Sequence, residues 1–427
     1  MPVKTARCRP AETPPGVRSI VWATTLAVAV LASSGWASTG QGGAASDDPE
    51  VLIAAGGEAL LAGDLEAAAS RFSDAARLVP GSHLPWLGLS EVAERRGDPL
   101  EALRHAREAE RLAPADPQVV FAVSRQLSRL MRFEEALAAL ARLRELDPEL
   151  PEGYLLAAAV LRRTGGEAEA VRVLEAGVDA GVDDPRVTEE LALVLLSAGK
   201  IERAREVAAA GVGRFPEYGG VQCALGLALA ADPERRGEAL TPLRAALDLG
   251  VVAPAKVHLE IAALLMEQGD QEAALDHLRS AAELSPEASE VHYRLGNALR
   301  NAGDIDGARQ ALGRYQELRR AEQQGERADR NVGTRFNEAQ SLANENRLPE
   351  ALAAVDALLA EHPEDDRALA LRGKVLFSVG RQEEALVAIR AAREAVGGQV
   401  EYHYLEGLFL LQLGRPAEAE IPLERAV

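Results

Sequence analysis

Residues 255–288 read AKVHLEIAALLMEQGDQEAALDHLRSAAELSPEA, and residues 289–315 read SEVHYRLGNALRNAGDIDGARQALGRY. Laid over each other at a step of 34 residues, Val257 falls on Val291, His258 on His292, Leu265 on Leu299, Gly269 on Gly303, Asp270 on Asp304, Ala274 on Ala308 and Leu278 on Leu312. Matches held in one register are self-similarity and not shared composition. A period of this length marks a stack of small units, each unable to bury its own apolar face. Within a unit the apolar residues recur at helical spacing, as in Leu259, Ala262, Ala263 and Met266, and a Gly-Asp pair ends one helix and starts the next. The expected fold is all-α, a solenoid of antiparallel helix pairs.

The pattern extends in both directions, with units starting near Pro49, His83, Pro117, Pro151, Pro185, Gly219, Ala255, Ser289, Val332, Asp366 and Val400. A small residue stands where the two helices of a unit meet, as at Gly56, Ser90, Ala158, Gly226, Gly296 and Gly407. The second helix carries its own, in Ala68, Ala102, Ala136, Ala170, Ala204, Ala239, Ala274, Ala308, Ala351, Ala385 and Ala419. The turn between the helices holds glycine in most units, but Met131 and Asn346 replace it in two, and the sixth unit is irregular around Asp232-PERRG. These residues resemble the tetratricopeptide repeat family. The resemblance implies eleven helix pairs wound into a right-handed superhelix, with the first helix of each pair lining a concave face that holds protein or extended-peptide partners.

Only 4% of the 427 residues are aromatic, which suits helices packed through small side chains. Acidic residues outnumber basic ones 66 to 47, and a net charge of −19 opposes nucleic acid as a partner. The first 37 residues have the layout of a secretory signal: Lys4, Arg7, Arg9 and Arg18, then an apolar run from Ile20, then Gly35 and Ala37 before a cleavage point. An uncleaved anchor over residues 19–37 is the alternative. Either reading makes the repeats periplasmic or extracellular, the only membrane contact being through that segment. Residues 38–48 read as a flexible tether. Cys223 stands alone after the leader, so no internal disulfide is expected.

The regular step fails between Tyr315 and Val332, where QELRRAEQQGERADRN (316–331) is charged throughout and lacks proline. The eighth unit's second helix is expected to run on here, dividing repeats 1–8 (49–320) from repeats 9–11 (332–427) by a joint at 321–331. The chain stops within the eleventh unit, EYHYLEGLFLLQLGRPAEAEIPLERAV (401–427). Leu405, Leu408, Leu411, Ile421 and Leu423 are more than the tenth unit can cover, so an apolar edge open to a second copy or a partner is expected, the alternative being a shortened reading frame.

Nothing in the sequence has the spacing of a catalytic, cofactor-binding or metal site: the seven histidines are scattered singly and no glycine-rich phosphate loop or nucleophile elbow occurs. His258 and His292, at one place in successive units, read as packing residues. Enzyme activity and a cofactor are not expected. Carried over from the family, first-helix positions mark two candidate partner-binding regions. Arg125 and Arg129 with Arg162 and Arg163 form a basic cluster suited to a carboxylate or acidic peptide. Tyr293, Asn297, Arg300, Phe336, Asn337, Gln340, Arg367 and Lys374 form a polar and aromatic one, similar in part to the family's carboxylate clamp but with Tyr293 and Leu371 where basic residues stand. The expected function is a non-enzymatic exported scaffold in a cell-envelope assembly. A polysaccharide-secretion or outer-membrane assembly component, and the recognition arm of an enzyme on another chain, remain open.

Overall fold

The computed structural model describes residues 48–395 and 399–426, so the leader and nearly all of the expected tether lie outside the described residues. Within them are 21 α-helices, a single 3-10 turn and no strand. The first four pairs are α1 (Pro49–Ala62) with α2 (Leu65–Leu78), α3 (Leu84–Arg95) with α4 (Pro99–Leu112), α5 (Pro117–Arg129) with α6 (Phe133–Leu146) and α7 (Pro151–Arg163) with α8 (Glu167–Asp179). The next three are α9 (Pro185–Ser197) with α10 (Ile201–Arg214), α11 (Gly219–Ala231) with α12 (Leu240–Leu249) and α13 (Pro254–Gln268) with α14 (Gln271–Leu284). Then come α15 (Ser289–Asn301), the long α16 (Ile305–Asn344) and α17 (Leu348–Glu361). The chain ends with α18 (Asp366–Ser378), α19 (Gln382–Ala395), α20 (Val400–Gln412) and α21 (Pro416–Arg425). The described residues divide into two compact units, 48–135 with 393–426, and 136–392.

Local chemistry sets these helices. Where an aspartate follows the turn glycine it caps the next helix: Asp64, Asp98, Asp270 and Asp304 each accept from the backbone N–H three residues on. The turn residue itself is left-handed, as at Gly97 (φ 78°) and Gly269 (φ 84°). Met131 and Asn346 obey the same demand at φ 59° and 61° without being glycine. Backbone geometry therefore dictates the position, and at Met131 an exposed side chain carries the strain.

The second-helix alanines are the floor of each pair. Ten of the eleven, from Ala68 to Ala419, are fully buried, and Ala308 is buried at 4%. The opposing first-helix position is as tight. A Cβ on Gly296 would stand 2.7 Å from Leu312 and one on Gly226 2.5 Å from Leu243. In the first compact unit the wholly buried ring of Phe72 lies between two glycines: a Cβ would stand 2.8 Å from it on Gly56 and 2.5 Å on Gly88. Close backbone approach replaces bulk here, which is how so few aromatics suffice.

In the second unit the joint expected at 321–331 falls inside one continuous helix. α16 runs 40 residues, about 60 Å, serving the eighth repeat with its first half and the ninth with its last. The physical reason is the absence of a stop, since 316–331 holds neither proline nor the left-handed turn residue that ends a first helix elsewhere. Every residue from Arg319 to Asn331 is exposed, and i,i+3 pairs such as Arg319 with Glu322 (2.5 Å) support it in water. The irregular sixth repeat is also visible, where a 3-10 turn at Arg236–Glu238 precedes a ten-residue α12.

The apolar edge expected on the last hairpin is present in part. Leu411 and Ile421 are exposed, at 46% and 62%, while Leu405, Leu408 and Leu423 are half-buried. Helix α21 meets α4 of the same compact unit, where Arg425 Nη2 donates to Glu101 Oε2 at 2.8 Å. Cover for the final pair comes in part from the chain's own second repeat.

Candidate partner-binding site

The basic cluster is neutralised where it stands. In the first unit Arg125 Nη2, on α5, is 2.8 Å from Glu91 Oε2 and 2.6 Å from Glu94 Oε2 on α3, with its guanidinium 5.8 Å from the Phe121 ring centre. Arg129 Nη1 reaches Glu94 Oε1 at 3.0 Å. In the second unit Arg162 Nη1 is 2.5 Å from Glu190 Oε1, and Arg163 is exposed. With the Arg125 and Glu91 side chains only 19% and 11% exposed, this pairing locks neighbouring repeats and does not present open cations. The acidic partners were legible in the sequence. Glu91 lies one repeat period, 34 residues, before Arg125, and equal places in adjacent repeats are neighbours.

The polar and aromatic region is not one site. Tyr293 on α15 packs against Tyr315 of α16, with ring centres 5.2 Å apart and planes inclined at 49°. Phe336 lies 21 residues further along the same helix, about 32 Å away at 1.5 Å per residue. The continuous helix therefore separates two patches. The first holds Tyr293, 49% exposed, and Arg300, whose Nη2 donates to Asn297 Oδ1 at 2.8 Å. The second holds exposed Asn337, Gln340, whose Nε2 donates to Asn344 Oδ1 at 3.2 Å, and Phe336, with Arg367 of α18 5.1 Å from its ring centre. Lys374 is exposed on α18.

The first patch differs from its counterpart one repeat earlier. Leu259, at the place of Tyr293, is 9% exposed and belongs to a core shared with Val291, Ala298 and Leu299 of the next repeat's first helix. At Tyr293 no such helix arrives in the regular position, because the ninth repeat's first helix is the far half of α16. The sequence writes Tyr, Asn and Arg there in place of Leu259, Ala263 and Met266. A face that packs in one repeat is open, polar and aromatic in the next.

Other titratable groups explain themselves locally. Burial, with the Glu189 and Glu260 carboxylates nearby, pushes the Cys223 thiol up to about 12, so it is no thiolate at neutral pH. Tyr218 OH donates to Glu189 Oε2 at 2.7 Å, and burial keeps that carboxyl above its ordinary range. Glu101 is held down at about 2, chiefly by the hydrogen bond with His105, then, against its partial burial, by Arg104 and Arg425. His403, 3% exposed, is lowered by burial and by the charges of Arg393 and Arg425, while Arg393 Nη1 pairs at 2.6 Å with Glu406, itself 2% exposed. His258 faces His277, and His292 Nε2 lies 2.8 Å from the Pro286 carbonyl oxygen.

Comparison with known proteins bears on the repeat itself. Tetratricopeptide repeat family models match residues 53–117, 265–328 and 336–399. No curated protein matches the sequence. Among solved structures, the chain is similar to PilF of Pseudomonas aeruginosa at 18% identity, covering 58% of this chain and 97% of that one, with a TM-score of 0.43. It is similar to a tetratricopeptide repeat protein of Parabacteroides merdae at 15% identity, covering 59% and 98%, with a TM-score of 0.42. YrrB, described as a TPR protein with an unusual peptide-binding site, aligns at 20% identity over 44% of this chain and 96% of its own, with a TM-score of 0.36. With the 34-residue period, the buried small residues and the paired helices, the matched models show that this chain carries tetratricopeptide repeats.

Proposed function

We propose that this repeat scaffold holds an extended peptide or a protein segment on its first-helix faces, with the open face of the eighth repeat as the principal contact. The observation that carries the reading is Tyr293, 49% exposed where the repeat before it buries Leu259. Around it stand Tyr315 for apolar groups and Asn297 and Arg300 for main-chain amides or a carboxylate. The patch at Phe336, Asn337, Gln340 and Arg367 offers a second foothold along α16. No bond-making chemistry is assigned to either. The leader over residues 1–37 supports placing the scaffold outside the cytoplasm, in a cell-envelope assembly.

The test is recovery of partners from envelope extract on the mature chain and on a Tyr293→Ala, Arg300→Ala variant, with helical content checked by circular dichroism. Loss of a specific partner by more than about tenfold, as expected when an exposed aromatic and an Arg anchor are removed together, supports the reading. Equal recovery on a folded variant rejects it. Cell fractionation with sequencing of the mature N-terminus tests export separately, and an intact leader in the cytosol rejects that part.

A further inference from the structure

In the seventh repeat, His258 of α13 and His277 of α14 turn their rings edge to edge, with Nδ1 to Nδ1 2.9 Å, ring centres 5.0 Å apart and planes inclined at 44°. Both rings are half-buried and so reachable from water. Packing does not call for two imidazoles here. The same two places of the second repeat hold Trp86 and His105, ring centres 5.7 Å apart, and the first of them is Leu52, Val120 and Tyr154 in other repeats.

We propose that this pair is a binding site for a divalent transition-metal ion of the copper(II) type, held by the two Nδ1 atoms with water in its remaining positions. Two imidazole nitrogens at about 2.0–2.1 Å from an ion, in adjacent corners of a square or octahedron, stand about 2.9 Å apart. A tetrahedral ion asks for about 3.3 Å, so the geometry favours copper or nickel over zinc, in line with the general affinity order. Without metal, one Nδ1–H donates to the other nitrogen's lone pair. Metal entry moves that proton to the same ring's Nε2 through solvent, leaving two neutral imidazoles as ligands and releasing no net proton.

The surroundings favour neutral rings. Burial lowers the pKa of both, and the Arg244 charge from α12 lowers that of His277 further, against Asp276 on its own helix. Arg244 also repels a cation, which makes this an open, exchangeable site and not a structural one. Among the described residues no cluster of three or more His, Cys, Asp or Glu is arranged for a metal, so these residues supply two ligands.

The test is titration of the untagged full chain with copper(II), followed by calorimetry and electron paramagnetic resonance. Expected is saturable binding whose spectrum shows hyperfine coupling to two imidazole nitrogens. His258→Phe or His277→Phe, which keep a ring in the hairpin, should each weaken binding by more than about tenfold, zinc should bind at least about tenfold more weakly, and His292→Phe should change nothing. Binding that survives both pair substitutions, a wild-type spectrum without two-nitrogen coupling, or no saturable binding overturns the proposal and leaves an imidazole hydrogen bond.

Discussion

Replacing Glu101 by Gln tests how the last hairpin is held. The carboxylate sits on α4 with three donors around it: Arg104 Nη2 at 2.8 Å, His105 Nε2 at 3.3 Å and Arg425 Nη2 at 2.8 Å from α21. Bringing a carboxyl from 4.5 to about 2 corresponds to about 3 kcal/mol if fully realised. The group is partly in water, which screens it, so about 1–2 kcal/mol is the expected loss at pH 7. The sign follows from linkage. A depressed carboxylate pKa stabilises the fold fully above the unfolded value of 4.5, and the contribution is lost as pH falls toward 2. Urea denaturation should therefore show the variant weaker at pH 7 and nearly equal to wild type at pH 2. Because His105 and Arg104 of α4 hold the carboxylate more strongly than Arg425 does, hydrogen exchange at pH 7 should show the larger share of the loss in α4 and a smaller, still measurable share in α20 and α21. A variant as stable as wild type at pH 7, a gap that persists at pH 2, or exchange in α20 and α21 that does not change would refute the assignment of Glu101 as the anchor of Arg425.

Three further outcomes follow from packing. Gly88→Ala drives a Cβ to 2.5 Å from the Phe72 ring and should cost about 1–3 kcal/mol in chemical denaturation, whereas Gly213→Ala, with open space around it, should not lose stability through a clash. Met131→Gly relieves a left-handed non-glycine residue and should raise stability by about 1 kcal/mol, read as a higher melting temperature. Amides from Arg319 to Asn331, all on exposed residues, should exchange faster than those of α15 and α17, and uniform slow exchange through α16 would show that this stretch is covered.

Much of the fold is legible because each repeat states it again. A column of alanines from Ala68 to Ala419 has one explanation, close helix approach, and all eleven are buried. Met131 and Asn346 could be marked as turn substitutes for the same reason. The fate of 316–331 was half legible: the absent proline says that the helix continues, but not that it becomes the ninth repeat's first helix, because a helix has no marker for the repeat it serves. That one feature carries Phe336 about 32 Å from the Tyr293 and Tyr315 pair and divides a region that sequence position alone draws together. The ion pairing inside the basic cluster is written at long range: the partners of Arg125, Glu91 and Glu94, stand beside it from the preceding repeat and not from its own helix. His258 and His277 are 19 residues apart on the two helices of one hairpin, a spacing with no motif to announce it.

The central claim, that partners lie on the open first-helix face of the eighth repeat, is tested most directly by site-specific photocrosslinking in cells. A photoreactive phenylalanine analogue at Tyr293 is compared with one at Val387, an exposed second-helix position (49% and 66% exposed). One discrete crosslinked partner is expected from Tyr293 and none from Val387. A partner captured at Val387 alone, or equally at both, would contradict it.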